Sequence, residues 1–393
     1  MAEWLAGVRK TKRIALDTEG ASFHKFVDRI YLLQLSTDDR HAIIDPLPIQ
    51  SPGGLGALVE DPKIEVVFHD ADYDLRLLHQ DYGWQIRNVF DTRIASQLLG
   101  FKAFGLAALL EKYFGLKLDK KHQRADWSMR PLTADMLEYA SHDTMHLLGL
   151  RDQLHDELAK KERLAWAREE FERLESTRWP ASDASEAYLK VKGARDLERR
   201  ELAVFRELVQ WRDAAALKLD RATFRVVSNE VLFEAARVNA SSKKALGSIK
   251  GMPRGILERS GDEMLAAVAR GLAVAEDALP KFPRSPRFDR DPTFDQKVGA
   301  LKAVRDAAAA RLELDPGVFC SRERMEMVAR LLPQTPEALS EIPEFRRWQT
   351  EILGAGFVKA LAPWRKEAGK GSAKPKGAPA KEKEKEAESP YLE

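Results

Sequence analysis

The feature that most constrains the fold is a repeat in the C-terminal half of the chain. Arg212-Asp213-Ala214-Ala215-Ala216 recurs 93 residues later as Arg305-Asp306-Ala307-Ala308-Ala309. The same offset relates Leu219 to Leu312, Ser228 to Ser321, Glu230 to Glu323, Ala245-Leu246 to Ala338-Leu339 and Ile249 to Ile342. Two unrelated bundles that share Ala- and Leu-rich helices are the alternative, but an ungapped offset over about 40 residues favours duplication. We therefore predict two similar all-α domains, at 195–275 and 293–362, rather than a solenoid.

Composition bounds the classes to which the chain can belong. Its 393 residues suggest two or three domains, and 44% hydrophobic with 32% charged residues provide cores under a charged surface. The formal net charge of +2 gives no indication of a nucleic-acid or membrane partner. A single cysteine, Cys320, excludes an intrachain disulfide and a cysteine-based zinc site and fits a reducing compartment. Since the N-terminus lacks a signal-peptide pattern and no apolar run reaches about 18 residues, we expect a cytoplasmic protein without a membrane or obligate protein partner.

The first 175 residues are predicted to form an α/β domain with a mixed sheet. Strand-like runs occupy 13–19, 31–36, 42–45 and 65–69, and helical periodicity occupies 75–82, 92–99, 106–113 and a long segment from Thr133. Three antiparallel-looking strands followed by strand–helix units are typical of this class. The last segment, residues 363–393, is rich in Lys, Glu, Ala, Pro and Gly, and we expect it to be a disordered charged tail.

Two acidic residues share one face of the first predicted strand. Side chains alternate along a strand, so Asp17 and Glu19 point to one face and Leu16 and Thr18 to the other. Two neighbouring carboxylates at the end of a buried strand repel each other unless a cation lies between them. An exposed strand face with two solvated acids is the simpler interpretation of this pair alone.

A second acidic group follows the strand that ends at His69. Asp70, Asp72 and Asp74 come at the carboxyl end of the sheet, where α/β folds place their functional sites. Acids in a first helical turn also satisfy free N–H groups, and Asp70 or Asp72 needs no other role. Asp74 lies one turn further in and is not needed as a cap, which makes it the better functional candidate.

Tyr139 and Asp143 lie four residues apart on one face of the long predicted helix. A buried carboxylate is costly without a partner, and either a metal ion or a Tyr–Asp hydrogen bond would satisfy it. Taken together, four carboxylates without a cysteine cluster suit Mg²⁺ or Mn²⁺ rather than zinc. A pair of such ions about 4 Å apart is the arrangement that stabilises both oxygens in phosphodiester cleavage.

The order of these residues resembles the three exonuclease motifs of the DEDD superfamily, in its tyrosine-bearing branch. The matching segments are Leu16-Asp17-Thr18-Glu19, His69-x4-Asp74-Leu75 and Tyr139-x3-Asp143. The stretch 119–132, leading to Leu137-Glu138-Tyr139-Ala140, is similar to the ribonuclease D family. The repeats resemble the helicase-and-RNase-D C-terminal (HRDC) domain, through Trp211-Arg212-Asp213 and Leu246-x2-Ile249-Lys250-Gly251-Met252. The second copy has Glu344 in place of Gly251 and is the more divergent one.

This resemblance implies a ribonuclease H-like exonuclease domain at 1–175, two HRDC-type bundles and a specific reaction. Asp17, Glu19, Asp74 and Asp143 would hold two divalent ions, Mg²⁺ or Mn²⁺. One ion would help to deprotonate a water and the other would stabilise the leaving 3′-oxygen. Tyr139 would orient the attacking water and assist its deprotonation. The expected products of 3′→5′ hydrolysis are nucleoside 5′-monophosphates.

Two departures from the family pattern carry expectations of their own. Gly20 follows Glu19 where the family more often has a bulky aromatic residue, so we expect a looser neighbouring pocket with Phe23 as the substitute. Only 13 residues precede Ile14, too few for the extra N-terminal strand and helix of the family. This predicts either a sheet without that edge element or a late start.

Basic residues predict where a nucleic acid would bind. Lys121, Arg124 and Arg130 lie in an irregular loop around Trp127, and cations interleaved with an aromatic ring suit a single strand. We expect Trp127 itself to be a buried anchor. In the first repeat, exposed cations that suit a phosphate backbone are Lys244, Lys250 and Arg254, although a solvated face is the alternative.

The leading hypothesis is a metal-dependent 3′→5′ exoribonuclease that acts on tRNA precursors and other structured RNAs with short 3′ tails. The helical domains would hold the folded RNA. A 3′→5′ DNA exonuclease is the first alternative, because a metal site does not itself read the 2′-hydroxyl. A catalytically silent RNA-binding factor is the second. The intact set of four acids and Tyr139 argues against it.

Overall fold

The computed structural model describes residues 2–8, 10–49, 52–118, 121–180, 184–283 and 291–368. The chain divides into two compact units at about residue 290, with residues 312–318 belonging to the first unit. Among the described residues, no helix is long and apolar enough to cross a membrane.

A five-stranded mixed sheet forms the centre of the α/β domain. Its strands, in chain order, are β1 (Arg13–Glu19), β2 (Leu32–Ser36), β3 (His41–Ile44), β4 (Glu65–Phe68) and β5 (Val89–Asp91). Their spatial order is β3-β2-β1-β4-β5, with β2 antiparallel to its neighbours β1 and β3, β4 parallel to β1, and β5 parallel to β4. The predicted mixed sheet is confirmed. Strand β5 was not predicted, because three residues carry too little periodicity to be recognised.

Eight helices accompany this sheet within the described part of the chain. They are α1 (Ala2–Val8), α2 (Gly54–Val59), α3 (Asp72–Tyr82), α4 (Thr92–Leu98), α5 (Leu106–Phe114), α6 (Ala134–Met145), α7 (Leu147–Lys160) and α8 (Leu164–Leu174). Thr133 caps α6, its hydroxyl accepting a hydrogen bond from the Met136 amide, and α3 ends at Gly83 with φ of 70°. The long predicted helix is in fact two helices, α6 and α7, separated by His146. The described residues contain helix α1 but no strand before β1.

Two sets of helices follow the α/β domain. The first bundle comprises α9 (Arg199–Leu219), α10 (Thr223–Val226), α11 (Asn229–Arg237), α12 (Lys243–Gly247) and α13 (Arg254–Ala273). The second set comprises α14 (Phe294–Leu312), α15 (Pro316–Phe319), α16 (Arg322–Leu331) and α17 (Arg347–Ala368). Helix α17 continues into the predicted tail at 363–393, and residues 369–393 lie outside the described residues.

The helices repeat at the offset found in the sequence. Helices α15, α16 and α17 each begin 93 residues after α10, α11 and α13. In both copies the matched arginine is buried and pairs with the following aspartate, at 3.4 Å for Arg212–Asp213 and 2.7 Å for Arg305–Asp306. A second guanidinium nitrogen of each arginine donates a hydrogen bond near the start of the third helix of its copy, to Asn229 Oδ1 at the start of α11 and to the Cys320 carbonyl just before α16. The two copies are therefore the same fold.

Gly251 and its counterpart in the second copy both have a left-handed backbone, which predicts that replacing this glycine destabilises the protein. Gly251 has φ of +89° and its counterpart Glu344 has φ of +70°, a region that a Cβ atom disfavours. We expect Gly251→Ala to lower the free energy of unfolding by about 1 kcal/mol, because the backbone strain exceeds the loss of unfolded-state entropy. Gly255→Ala is the control, since Gly255 lies in helix α13 and the added Cβ would meet only Arg259 at 3.6 Å. Urea unfolding that finds the two variants equal would contradict the argument.

Candidate active site

A cavity of about 890 Å³ opens at the end of β1. Its wall includes residues from each of the three acidic motifs, among them Asp17, Glu19, Asp74, Tyr139 and Asp143. These five side chains come from strand β1 and from helices α3 and α6, which the fold brings together from positions more than 100 residues apart. The sequence-predicted residues thus line one cavity.

Three of the acids converge closely enough to share a cation. One carboxylate oxygen from each of Asp17, Glu19 and Asp143 lies within 4.8 Å of the others. Asp17 and Glu19 lie on the same face of β1, and Asp143 reaches them from α6, which packs against β1 and β2. Hard oxygen donors in this arrangement suit a divalent metal ion such as Mg²⁺.

Asp74 of helix α3 is held beside this cluster by Thr18 of strand β1. Its Oδ1 accepts hydrogen bonds from the backbone N–H of Thr18 at 3.1 Å and from the Thr18 hydroxyl at 2.5 Å. The two neighbouring acids have other partners, Asp70 pairing with Arg93 and Asp72 with Arg76. Asp74 is therefore the acid of this segment that joins the site.

Gln34 is a site residue that the sequence analysis left out. It is fully buried on β2 opposite Asp17, and its Nε2 donates to Glu19 Oε1 at 3.4 Å. Its own Oε1 has no hydrogen-bond partner among the described residues. A glutamine within a strand of otherwise buried leucines was the available signal, because a buried amide requires a polar partner.

Burial and mutual repulsion make the charged form of this cluster costly. Burial raises the pKa of Asp17 well above its usual range, and repulsion from Asp143 adds to it. Burial and the three other acids likewise raise the pKa of Glu19, and burial together with Asp17 raises that of Asp74. The pKa of Asp143 rises to about 7, mainly through burial and then through repulsion from Asp74. A bound cation would favour the ionised form of all four groups.

Tyr139 is a neutral phenol at the edge of the acids. Burial, followed by repulsion from Asp143 and Glu19, raises its pKa above the usual value. The rings of Trp127 and His122 pack against Tyr139 with centroid separations of 6.1 Å and 5.9 Å. Trp127 is only 2% exposed, so its ring supports Tyr139 from inside the fold and is not presented to solvent.

His69 also lines the cavity, and its Nδ1 contacts a neighbouring hydroxyl. Its Nδ1 lies 2.9 Å from the Thr92 hydroxyl, which in turn donates to the Phe68 carbonyl. Burial lowers the pKa of His69 to about 4. It is therefore neutral at physiological pH and supports the junction between β4 and α4.

The space beside Gly20 is filled, contrary to the looser pocket expected there. An added Cβ at Gly20 would lie 2.4 Å from the Tyr73 hydroxyl and 2.9 Å from Asp28 Oδ1. The Tyr73 hydroxyl donates to Asp28, whose other oxygen accepts from the Ala21 amide. Tyr73, rather than Phe23, thus occupies the position where a larger residue would otherwise extend.

The basic residues predicted to bind nucleic acid fall into three environments. Arg124 lines the cavity, whereas Lys121 lies nearby and pairs with Asp135 at 3.2 Å. Arg130 forms a two-pronged ion pair with Asp45 at 2.6 and 2.7 Å and donates to the carbonyl of Tyr31, so it ties the loop to the sheet. The remaining three are exposed on the first bundle and do not line this cavity, namely Lys244, Lys250 and Arg254.

Comparisons with known proteins agree with this geometry. A family model described as 3′-5′ exonuclease matches residues 1–159, and the HRDC domain matches residues 201–268 and 296–361. Ribonuclease D of Escherichia coli (strain K12) is 32% identical over 282 residues, which cover 72% of this chain and 75% of that protein. The chain belongs to the ribonuclease D family. A second ribonuclease D, from Granulibacter bethesdensis, is 29% identical over 350 residues, which cover 88% of this chain and 87% of that protein.

A solved ribonuclease D structure extends the match to the fold. The crystal structure of Escherichia coli RNase D aligns with a TM-score of 0.70 at 27% identity, covering 92% of this chain and 96% of that one. The predicted resemblance to ribonuclease D, with an exonuclease domain and HRDC domains, is confirmed. As a member of the ribonuclease D family, the chain is a 3′→5′ exoribonuclease.

The raised carboxylate pKa values predict that the metal-free protein loses stability as pH rises. Asp143 is neutral in the fold below its pKa of about 7, whereas an unfolded aspartate ionises near 4. Ionising it in the fold between these values costs free energy, so Asp143→Asn should stabilise the EDTA-treated protein at pH 8 by about 1–3 kcal/mol. The difference in free energy of unfolding between the variant and the wild type should disappear near pH 4. Mg²⁺ should raise the Tm of the wild type more than that of the variant.

The matched control is Asp72→Asn, which removes an exposed carboxylate paired with Arg76. Because Asp72 is exposed and forms an ion pair, its replacement should not stabilise the EDTA-treated protein at pH 8. Thermal unfolding in EDTA at several pH values makes the comparison. A wild type that is more stable than Asp143→Asn at pH 8 without metal would show that the cluster is not repulsive.

Proposed function

We propose that this exoribonuclease removes nucleoside 5′-monophosphates one at a time from the 3′ ends of tRNA precursors and other structured RNAs with short tails, with two divalent metal ions. The observation that carries the proposal is the convergence of Asp17, Glu19 and Asp143, with Asp74 beside them and Tyr139 at the edge. The solved E. coli relative is described as an exoribonuclease involved in structured RNA processing, which supports the substrate class.

The donor set fits two Mg²⁺ or Mn²⁺ ions. Asp17, Glu19, Asp74 and Asp143 supply only carboxylate oxygens, and their raised pKa values indicate a cluster that needs positive charge. Two such ions, when bound, activate a water and offset the negative charge on the attacking and leaving oxygens. A phosphodiester is itself an anion, so without cations the four acids would repel the substrate.

Tyr139 is assigned the task of orienting the attacking water. In the metal-free site its pKa is raised, so the phenol is protonated at neutral pH and can donate or accept a hydrogen bond. The packed rings of Trp127 and His122 limit the directions in which the phenol can point.

The RNA is proposed to enter along the wall that carries Arg124. This guanidinium lies over the Phe23 ring at 5.9 Å and lines the cavity, where it can meet a phosphate or a base. Lys121 belongs to the same surface, and a folded RNA would contact Lys244, Lys250 and Arg254 on the first bundle. Arg130, already bound to Asp45, is assigned to support of the loop.

The buried free thiol of Cys320 is in keeping with a cytoplasmic location.

A degradation time course tests the reaction. RNA and DNA oligonucleotides of one sequence, labelled at either end, are incubated with Mg²⁺, Mn²⁺ or EDTA. We expect metal-dependent release of labelled mononucleotide from 3′-labelled RNA, a descending ladder from 5′-labelled RNA and slower loss of the DNA. A tRNA carrying a short 3′ extension should lose that extension and resist further shortening close to its acceptor stem, because its folded part cannot enter the cavity.

Asp74→Asn is the inactive control for this assay. We expect hydrolysis to fall below detection while RNA affinity measured in Ca²⁺ is largely retained, since the change removes a metal ligand and leaves the basic surface intact. Full activity in Asp74→Asn would contradict the assignment of Asp74 as a metal ligand. Faster loss of DNA than of RNA would reverse the substrate assignment.

Tyr139→Phe separates water orientation from RNA binding. The phenyl ring preserves the packing on Trp127, so we expect an unchanged KM and a kcat lower by roughly 10²–10³-fold, the usual cost of losing one positioned hydrogen bond. Steady-state kinetics on a short RNA give both constants. A raised KM with unchanged kcat would assign Tyr139 to substrate binding instead.

A further inference from the structure

The loop that follows Glu19 forms one wall of the cavity. We call residues 20–26 the active-site loop, and its residues 20–24 line the cavity. The loop closes on itself through hydrogen bonds from the amides of His24 and Lys25 to the Ala21 carbonyl, both at 2.8 Å. Phe23 near its tip remains 45% exposed, so its ring is available to a molecule that enters the cavity.

The first bundle contacts this loop through the segment that joins two of its helices. We call residues 220–225, which join α9 to α10 and include most of α10, the bundle corner. Two of its groups bond the loop backbone, the Ala222 amide donating to the His24 carbonyl at 3.1 Å and Arg225 Nε donating to the Phe23 carbonyl at 2.6 Å. Lys25 of the loop also forms an ion pair with Asp220 at 2.6 Å.

Aromatic contacts fix the position of Phe23 itself. The Phe224 ring lies 5.0 Å from the Phe23 ring, and the Arg225 guanidinium lies over Phe23 at 5.2 Å. Arg225 therefore contacts both the backbone carbonyl and the ring of Phe23. At the end of the loop, Phe26 packs against the hydrophobic core of the first bundle.

The repeat shows that these corner side chains are not required by the bundle fold. The second copy forms the matching four-residue helix α15 with Gly317 and Val318 where the first copy has Phe224 and Arg225. Phe224 is also 48% exposed, which a residue needed for the bundle core would not be. The contacts of Phe224 and Arg225 are instead directed at the active-site loop.

We propose that the first HRDC bundle positions the active site: Arg225 and Phe224 hold the active-site loop so that Phe23 meets the RNA in the cavity. The bundle then contributes to hydrolysis of every substrate, including RNAs too short to touch its exposed cations. The acids lie on β1, α3 and α6 and do not depend on the corner. Loss of Arg225 should therefore weaken RNA binding in the cavity and leave the chemical step nearly intact.

Kinetics on a five-nucleotide unstructured RNA with saturating Mg²⁺ test this role in the full chain. We expect Arg225→Ala to raise KM roughly 5–20-fold with kcat changed by less than about 2-fold, since substrate positioning is affected and the metal ligands are not. Arg225→Lys should rescue part of the loss, because an ammonium can bond the carbonyl but lacks a planar group over the ring. Arg237→Ala removes an exposed cation of the same bundle and should leave both constants unchanged.

A double-mutant cycle distinguishes positioning from direct contact with RNA. If Arg225 acts through Phe23, the double variant Phe23→Ala/Arg225→Ala should be no worse than Phe23→Ala alone. The dependence of KM on salt should also keep its slope, whereas loss of a phosphate contact would reduce that slope by about one. Three results would overturn the proposal. They are a KM for the double variant that equals the product of the two single effects, a reduced dependence of KM on salt in Arg225→Ala, and an unchanged KM in Arg225→Ala. Should Arg225→Ala fail to fold, Phe224→Leu and Arg225→Lys carry the same comparison.

Discussion

Repulsion among four carboxylates is the constraint around which the α/β domain is arranged. Asp17, Glu19, Asp74 and Asp143 would separate if their backbones were free to move, because burial leaves little water to screen them. They are instead attached to the buried strand β1 and to helices α3 and α6, which are packed on the sheet. The rest of the domain supplies the free energy that holds these acids together until cations bind.

The partners that orient the acids are neutral. Thr18 donates two hydrogen bonds to Asp74, and Gln34 donates one to Glu19. A lysine or arginine in either place would bind the carboxylate more strongly and would also compete with a metal ion for it. Neutral donors direct the oxygens while leaving the negative charge available, which is what a divalent metal site requires.

Local patterns predicted much of this arrangement, and tertiary contacts decided the rest. The alternation in β1 and the spacing of Tyr139 and Asp143 are visible within short segments, and the 93-residue offset is visible when two segments are compared. The sheet, the cavity residues and the duplicated bundle could therefore be anticipated. Three contacts could not be anticipated: the hydrogen bond from Gln34 to Glu19, the filling of the space beside Gly20 by Tyr73, and the ion pair between Arg130 and Asp45. Each depends on residues 15 to 85 positions apart, whose proximity no local periodicity encodes.

Duplication explains how a bundle corner can come to serve an active site. The core of a helical bundle is set by its buried faces, and both copies keep a buried arginine paired with the next aspartate. The exposed corner is free of that constraint, so one copy can carry Gly317 and Val318 while the other carries Phe224 and Arg225 without cost to the fold. Only the copy that directly follows the α/β domain along the chain has these two side chains, and they contact the loop beside Glu19. The difference between the copies is thus located where the first bundle meets the chemistry.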